Sequence, residues 1–434
     1  MTLYRHQNKI IQDDPKKCGL FLGTGSGKTK IALLLAHGAT LVVCPKTVKE
    51  DGLWEREHTK LKSKNGMIVI SKEEFRTRGL SYAFFNTLII DEAHTVLGAS
   101  PYYRWRHKKQ IPKVSQVCEA LFRYVAQHQP SRIYLLTATI TRNPMCVWAA
   151  GRLLGKQWGF SAFRQKCYFK LPMDREIWQV KKDKATKEWL GKAVRSIGYT
   201  GKLDDYFEVP EQTYKTEWIG LTSEQNAMIE RYALEYPDPL VFTGKAHQIE
   251  NGIMMGNEFR KTEYFENEKI RKILQYAGLY PRMVIFAKYI AQLEMIERIV
   301  RKAGYTTFML DGRTKRRKEL LEGANNAQKG IFLCQSSMGQ GWELPDYPVA
   351  VFASLSYSVV DHVQAEGRIL RANKLKENLF ITLVVRGGVD EAVYECIKDK
   401  KDFLEYSYAK KRSTISDEVR PMGAGEMARR ISGI

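Results

Sequence analysis

The sequence lacks any long hydrophobic run. No apolar stretch in its 434 residues approaches the roughly 20 residues that a helix needs to cross a bilayer. The residues after Met1 also contain no apolar core of the kind that signal peptides carry. We therefore expect a cytoplasmic protein that does not act at a membrane.

Cysteine is scarce, and its spacing excludes two classes of small stabilised domain. The sequence contains no C-x-x-C pair, which argues against a zinc ribbon and against a disulfide framework. We expect reduced thiols that are buried as small apolar side chains. The seven cysteines are Cys18, Cys44, Cys118, Cys146, Cys167, Cys334 and Cys396.

The charge balance is strongly positive. Lys and Arg total 69 against 48 Asp and Glu, which gives a formal net charge of +21. Such an excess favours a polyanionic partner, because each neutralised phosphate releases condensed counterions. The alternative at this point is a basic, solvated surface without a specific partner. The hydrophobic fraction of 44% is that of an ordinary globular protein.

Short apolar runs alternate with helical patterns in two parts of the chain, which predicts an α/β fold with two parallel sheets. We predict one such domain at 1–155, a mainly helical insertion and connector at 156–256, a second domain at 257–405 and a basic tail at 406–434. The predicted strands are 18–22, 40–44, 66–70, 87–90 and 133–136 in the first domain, and 283–286, 305–310, 330–334, 349–352 and 379–385 in the second.

A glycine-rich segment follows the first predicted strand and opens a helix. In that context glycines let backbone amides approach phosphates, and the helix N-terminus favours their negative charge. Lys28 is predicted to reach the β- and γ-phosphates of ATP, and Thr29 to bind Mg²⁺. The usual spacing has one more glycine, where this chain has Leu22. The predicted phosphate-binding residues are Gly23, Thr24, Gly25, Ser26, Gly27, Lys28 and Thr29.

Two further motifs add the acid and the arginines that phosphoryl transfer uses. Asp91 and Glu92 follow a buried strand, where the first is predicted to hold Mg²⁺ and the second to activate water. Gln364 and Arg368 lie in a predicted helix at 359–370, and Arg371 comes directly after it. Because Arg368 and Arg371 are three residues apart, a helix would direct both guanidinium groups the same way. The alternatives are a surface acidic turn and an amphipathic helix with two solvated arginines.

These motifs, in this order, resemble those of the superfamily 2 helicases and translocases, and most closely the Swi/Snf-like branch and related phage helicases. The resemblance covers about residues 3–403 and implies two tandem RecA-like domains with one ATP and Mg²⁺ at their interface. Gln7 matches the adenine-reading glutamine of the family, and Gly341 falls in its motif V. Further matching segments are 136–144, 163–168, 284–288, 311–314, 336–344 and 384–391.

The same resemblance implies contacts with the phosphates of nucleic acid, which do not depend on the base sequence. Trp105 lies in a stretch of aromatic and cationic residues, 102–109, which we predict to be an extended loop that contacts a junction or separates strands. The alternative for 102–109 is that these residues pack against the insertion. The alternative for the contacts named next is that they are solvated loop residues. The other predicted nucleic-acid contacts are Lys46, Thr47, Ser71, Lys288, Arg313, Thr314 and Ser337.

The resemblance favours an ATP-dependent DNA helicase or translocase. We expect duplex, forked or junction DNA as its partner, in branch migration, recombination or replication-fork processing, and in the host cytoplasm if the chain is encoded by a phage. Three alternatives stay open at this point: an RNA helicase, the motor subunit of a restriction-type complex, and a nucleic-acid clamp that binds ATP without hydrolysing it.

Overall fold

The structure, a computed structural model, describes residues 3–408 except 64, 79–80, 82–83, 107, 173–175, 203–204, 209, 237, 257–260, 340–341, 345 and 371–376; of 142, 239–240 and 399–408 it describes the backbone alone. Gly341, Arg371 and the end of the predicted tail, 409–434, therefore lie outside the described residues. The chain forms two compact units: within the described residues, the first comprises 3–208 together with 400–408, and the second comprises 210–399.

The first unit is built on a six-stranded parallel sheet. The strand order is β10-β1-β7-β4-β2-β3, and two antiparallel hairpins, β5–β6 and β8–β9, stand apart from this sheet. The strands are β1 (Lys17–Leu22), β2 (Thr40–Cys44), β3 (Met67–Ser71), β4 (Thr87–Ile90), β5 (Ala99–Arg106), β6 (Lys109–Val114), β7 (Arg132–Leu136), β8 (Tyr168–Lys170), β9 (Trp178–Val180) and β10 (Gly198–Gly201).

Helices surround this sheet, and several begin at a side chain that caps them. Ser115 accepts a hydrogen bond from the amide of Cys118 at the start of α7, and Asp183 accepts one from Thr186 at the start of α10. The helices are α1 (Arg5–Asp13), α2 (Lys28–Leu35), α3 (Lys46–Glu50), α4 (Leu53–Lys60), α5 (Lys72–Arg78), α6 (Ala93–Val96), α7 (Gln116–His128), α8 (Pro144–Leu153), α9 (Phe160–Cys167) and α10 (Lys184–Arg195).

The second unit repeats the architecture with a different sequence. Its parallel sheet has the order β11-β18-β17-β14-β16-β15, beside a small hairpin, β12–β13. The strands are β11 (Thr213–Ile219), β12 (Ile253–Met254), β13 (Glu263–Tyr264), β14 (Arg282–Ala287), β15 (Thr307–Leu310), β16 (Gly330–Gln335), β17 (Val349–Phe352) and β18 (Leu379–Val385). The helices are α11 (Ser223–Glu235), α12 (Pro239–Glu250), α13 (Glu268–Leu279), α14 (Ile290–Lys302), α15 (Arg317–Asn326), α16 (Val359–Glu366) and α17 (Val389–Tyr408).

The central strands are buried on both faces, as parallel sheets covered by helices require. Every residue of β2, β4, β7 and β17 is buried. The predicted fold class, with two parallel α/β sheets of the RecA-like kind, is confirmed. The stretch 156–256 supplies helices α9 to α12, as predicted, but it also adds strand β10 to the first sheet and strand β11 to the second.

Six of the seven cysteines are buried and all seven are free thiols, while Cys396 on α17 is exposed. Burial raises the pKa of the Cys18 and Cys167 thiols to about 12. Five of the buried thiols lie in the first unit, and Cys334 is the buried thiol of the second.

Candidate nucleotide and nucleic-acid sites

The glycine-rich segment forms a loop between the end of β1 and the start of α2. Gly25 and Gly27 both have φ of +79°, a conformation that residues with a side chain rarely adopt. A Cβ atom on Gly27 would also lie 2.3 Å from the side-chain nitrogen of Gln7. Leu22, which replaces the first glycine of the usual spacing, is the last residue of β1 and is buried in the core of the unit.

The side chain of Lys28 folds back over this loop. Its Nζ atom donates to the carbonyls of Leu22, at 2.8 Å, and Gly23, at 2.9 Å. The hydroxyl of Ser26 donates to the same Gly23 carbonyl at 2.8 Å. A flexible ammonium beside the N-terminus of α2 fits a polyphosphate, because both favour negative charge at one place.

The N-terminal helix α1 is tied to the loop through Ser26. The ring Nε2 of His6 and the amide nitrogen of Gln7 both donate to the carbonyl of Ser26, at 2.9 and 3.2 Å. The amide oxygen of Gln7 accepts from the backbone of Tyr4 at 3.1 Å, and the residue is 1% exposed. Gln7 thus supports the loop directly, and its contact with adenine stays a prediction.

Asp91 is a buried carboxylate at the end of β4. Its two oxygens accept hydrogen bonds from the indole of Trp54, at 3.1 Å, and from the amide of Glu92, at 2.9 Å. Burial raises the pKa of the Asp91 carboxyl, while these two hydrogen bonds and the charge of Lys28 act in the opposite direction. A carboxylate and the hydroxyl of Thr29 are oxygen ligands that suit Mg²⁺, which when bound would offset phosphate charge.

Glu92 begins a series of polar contacts that connects the acidic motif to the segment 136–144. Its φ of 45° is left-handed, an uncommon conformation for glutamate. Its carboxylate lies 3.4 Å from Nδ1 of His94, and the same nitrogen is hydrogen-bonded to the hydroxyl of Thr137 at 2.8 Å. The Thr137 hydroxyl accepts from the amide of Thr139 at 3.0 Å. The predicted motif at 136–144 is therefore in contact with the acidic motif.

The aromatic and cationic stretch that contains Trp105 is a β-hairpin, and the prediction of an extended loop was wrong. Trp105 pairs with Gln110 across the antiparallel strands β5 and β6, and its side chain is 71% exposed. The start of the hairpin is held by Asn143, whose amide donates to the carbonyl of Ala99 at 2.8 Å. Antiparallel pairing satisfies the backbone while it leaves the large side chain of Trp105 in water.

Three other predicted nucleic-acid contacts of the first unit lie near the ends of β2 and β3. Lys46 is exposed and lies 3.6 Å from Glu50, and Thr47 is half-buried. Ser71 is 2% exposed, and its hydroxyl caps α5 by accepting from the amide of Glu74 at 3.1 Å. The structure thus gives Ser71 a structural contact, and its contact with nucleic acid stays a prediction.

In the second unit the predicted helix around the arginine motif is shorter than expected. Helix α16 ends at Glu366, so the predicted extent of this helix, to residue 370, was wrong. Arg371 lies outside the described residues, and its alignment with Arg368 stays a prediction. The backbone amide of Arg368 bonds to Ala365 instead of Gln364, which frees the Gln364 carbonyl. That carbonyl accepts from Nε of Arg368 at 2.9 Å.

The guanidinium of Arg368 is 7% exposed and also donates to the carbonyl of Trp342, at 2.9 Å. Its side chain therefore binds the segment 336–344 of its own unit. The predicted roles of Gln364 and Arg368 in catalysis stay predictions.

Three more predicted contacts follow strands of the second sheet. The guanidinium of Arg313 pairs with Asp311, at 2.6 Å, and with Glu294, at 2.8 Å. The hydroxyl of Thr314 accepts from the amide of Asp311 at 3.0 Å, which closes the turn after β15. Ser337 is exposed in a 3₁₀ turn after β16. Arg313 and Ser337 thus reach solvent where these parallel strands end.

Sequence reasoning missed a buried polar network in this unit. The side chains of Lys269 and Asp390 form an ion pair that is almost wholly buried, and His247 binds the same carboxylate at 2.9 Å. The ring Nδ1 of His247 lies 3.3 Å from Nζ of Lys288. These residues come from separate elements, 143 positions apart for His247 and Asp390, so no local motif signals them.

Within the described residues, no helix is both long enough and apolar enough to span a membrane.

Comparison with known proteins adds similarity to helicases. Residues 266–373 match the helicase conserved C-terminal domain. The chain is 24% identical over 170 residues to helicase 172L of Invertebrate iridescent virus 6, which is 38% of this chain and 26% of that protein.

Two further relatives come from eukaryotes. The pre-mRNA-splicing ATP-dependent RNA helicase prp-28 of Neurospora crassa is 24% identical over 157 residues, 35% of this chain and 22% of that protein. Protein CHROMATIN REMODELING 19 of Arabidopsis thaliana is 31% identical over 124 residues, 27% of this chain and 16% of that protein. The chain spans about a quarter or less of the length of these relatives. Two parallel α/β sheets and these partial similarities relate the chain to helicases, and residues 266–373 of its second unit match the helicase conserved C-terminal domain.

Proposed function

We propose that this chain is an ATP-driven motor that moves along nucleic acid. The observation that carries the proposal is the arrangement around Lys28 in the first unit. A cationic side chain lies over a glycine loop at a helix N-terminus, and the charge of Lys28 acts on the buried carboxylate of Asp91. This combination of groups suits the binding and hydrolysis of a nucleoside triphosphate.

The residues divide the chemical work by their positions. Lys28 and the loop amides bind the β- and γ-phosphates, and Asp91 with Thr29 holds Mg²⁺. Glu92, the next residue, orients the attacking water and accepts its proton. The predicted arginines Arg368 and Arg371 supply positive charge to the transferring phosphoryl group. Without these groups the chain would bind ATP as a passive switch, or would not bind it.

The segment 136–144 forms a path between the acid of the first unit and the Trp105 hairpin, with polar contacts at its two ends. The Glu92 carboxylate lies near His94, which bonds Thr137, and Asn143 at the other end of the same motif holds Ala99 at the start of the hairpin. A change at the γ-phosphate can therefore be passed to the hairpin through contacts within one unit. We infer that this path couples hydrolysis to the grip on nucleic acid.

We propose DNA as the substrate, with forks and junctions preferred. The net charge of +21 suits a polyanion, and Trp105 offers an exposed ring next to cationic side chains for stacking on an unpaired base. The similarity to a relative named for chromatin remodelling also supports DNA. In this proposal the hairpin contacts the point where two strands part.

RNA is the second candidate substrate, and the similarity to relatives named as pre-mRNA-splicing RNA helicases favours it. ATPase measurements with single-stranded DNA, duplex DNA, a fork, a four-way junction and single-stranded RNA separate the two. We expect the greatest stimulation with fork and junction. Equal stimulation by all DNA forms contradicts the branched preference, stimulation by RNA alone contradicts DNA, and no stimulation by any of them contradicts the motor.

A further inference from the structure

The second unit holds a half-buried lysine and an exposed tyrosine at the ends of two adjacent strands. Lys288 follows β14, and Tyr357 lies five residues beyond the end of its neighbour β17. The ammonium of Lys288 lies 4.0 Å from the centroid of the Tyr357 ring, and Tyr357 is 50% exposed. In open parallel sheets, ligands bind at the ends of the strands where these two residues stand.

The backbone and the side chain of Lys288 are both held in place. Its amide donates to the hydroxyl of Ser354 at 2.8 Å, and that hydroxyl donates to the side-chain oxygen of Gln292 at 2.5 Å. Its ammonium faces Nδ1 of His247 at 3.3 Å. An ammonium has donors only, so this contact requires a lone pair on Nδ1.

The network behind His247 fixes the tautomer that provides this lone pair. Asp390 stays ionised because Lys269 and His247 bind it, which holds the pKa of its carboxyl well below the usual range. An ionised carboxylate can only accept, so Nε2 of His247 carries the hydrogen and Nδ1 is left as an acceptor. Burial also lowers the pKa of the His247 ring, which keeps it neutral.

Replacing a buried ion pair by apolar residues of similar volume often leaves a protein as stable or makes it more stable. A buried ion pair is therefore not explained by stability alone. In this unit the pair extends through His247 to a side chain that reaches the surface. Nδ1 of His247 lies 2.8 Å from the hydroxyl of Tyr289 and 3.3 Å from Nζ of Lys288, so this ring nitrogen connects the buried network to both side chains. The surface end is cationic and aromatic, which suits a phosphate and the sugar or base beside it.

We propose that Tyr357 joins the already predicted contact Lys288 in one nucleic-acid site of the second unit, and that the buried His247 is the residue that positions this pair. The proposal rests on the proposed motor function and names one of the sites where the motor binds nucleic acid. His247 touches no nucleic acid itself. It acts by accepting from Lys288, which holds the ammonium above the Tyr357 ring.

The test is a double-mutant cycle on the full chain. Binding is measured by fluorescence anisotropy with labelled single-stranded DNA, duplex DNA and RNA, and the probe that the wild type binds best is used throughout. Lys288→Ala is expected to weaken binding about ten-fold, as for one charge-assisted contact, and to reduce the salt slope by about 0.7 to 0.9. Tyr357→Ala is expected to weaken binding by a similar factor.

His247→Gln keeps an amide that can reach Asp390 but lacks the ring nitrogen that faces Lys288. We expect it to weaken binding about three-fold in the wild type and not at all when Lys288 is already Ala, because interacting sites are not additive. Tyr289→Phe is the matched control: it removes the hydroxyl that lies 2.8 Å from the same Nδ1 of His247 and leaves the ring nitrogen that faces Lys288. It should bind like the wild type.

Each outcome bears on a different part of the proposal. A wild type that binds none of the three probes overturns both the proposed function and this site. If the wild type binds and Lys288→Ala binds equally well, the contact is overturned alone. If His247→Gln binds like the wild type, or weakens binding further in the Lys288→Ala background, the positioning role is overturned. Thermal melting identifies variants that do not fold, and His247→Phe, which also lacks both ring nitrogens, replaces His247→Gln in that case.

Discussion

The two parallel sheets of this chain use the same architecture for different tasks at the ends of their strands. In the first unit, β1 ends in a glycine loop where backbone and Lys28 are arranged for an anion, and β4 ends in the buried acid Asp91. In the second unit, the space behind the strand ends is filled by the ion pair of Lys269 and Asp390. The charged groups of the first sheet lie at the proposed phosphate site, while those of the second sheet pair internally and leave Lys288 half-buried beside Tyr357.

The comparison predicts that the charged groups of the second unit matter most for folding. Lys269→Met leaves the Asp390 carboxylate buried without its cation, so we expect the free energy of unfolding to fall by about 3 to 5 kcal/mol. Urea denaturation measures the loss. Arg316→Ala removes one partner of an exposed pair with Glu319 and should cost well under about 1 kcal/mol. Equal losses in the two variants would contradict the distinction.

The charged groups of the first unit should matter most for chemistry. Lys28→Ala removes the ammonium that lies over the loop, and we expect ATP hydrolysis to slow by about 100-fold to 1,000-fold. The melting temperature should change little, because Lys28 is half-buried and its ammonium bonds to carbonyls of the loop and not within the apolar core. Lys30→Ala on the same helix is the control and should hydrolyse ATP at a rate close to the wild type. Phosphate release gives the rate.

The hairpin should act on nucleic acid and not on folding. Trp105→Ala removes an exposed ring, and we expect binding to single-stranded or forked DNA to weaken by about 1 to 3 kcal/mol. Phe169→Ala is a matched control, because Phe169 is another exposed aromatic on a hairpin of the same unit. If both variants bind equally well, Trp105 has no special role. Anisotropy titrations with a labelled fork measure the difference.

The smallest predicted effect is a dependence of stability on pH through His247. The folded-state pKa of this ring is lowered, so the unfolded chain binds the additional proton below about pH 6.5. The contribution of the ring is therefore complete above that pH and is lost as the pH falls through the folded-state pKa. We expect at most about 1.4 kcal/mol per pH unit from this group.

The groups that face the His247 ring are Asp390, Lys269, Lys288, Tyr289 and Tyr357. Urea denaturation at neutral and mildly acidic pH, for the wild type and for His247→Gln, measures the effect. A smaller loss on acidification in the variant supports the prediction, and identical losses contradict it.

The sequence predicted five strands of each sheet and missed one edge strand of each. The ten predicted strands, among them the edge strands β3 and β15, lie within two residues of their predicted ends, because each contains a short apolar run. The edge strands β10 and β11 were missed. Strand β10 has the sequence Gly-Tyr-Thr-Gly, and in β11 every residue before Ile219 is exposed or half-buried. Neither contains the apolar run that the prediction relied on.

The candidate site shows the same division between local and distant information. Lys28 and Asp91 were found because their chemistry depends on neighbours in the chain, a loop before a helix and an acid after a strand. The end of helix α16 was not predicted correctly. The side chain of Arg368 bonds to the carbonyl of Gln364, where a longer helix would have a backbone hydrogen bond. The network of His247, Lys269 and Asp390 depends on three elements that meet only in the folded unit. The domain boundaries and the contacts with nucleotide and nucleic acid stay predictions.

The distribution of thiols provides a practical probe of the two units. A maleimide reagent needs an exposed thiol, and in the folded chain Cys396 meets that condition while the other six cysteines do not. The native chain should therefore accept one label, which places a single fluorophore on α17 without mutagenesis. As denaturant is raised, opening of the first unit would add five labels and opening of the second would add one. The mass of the labelled chain would then report which unit unfolds first.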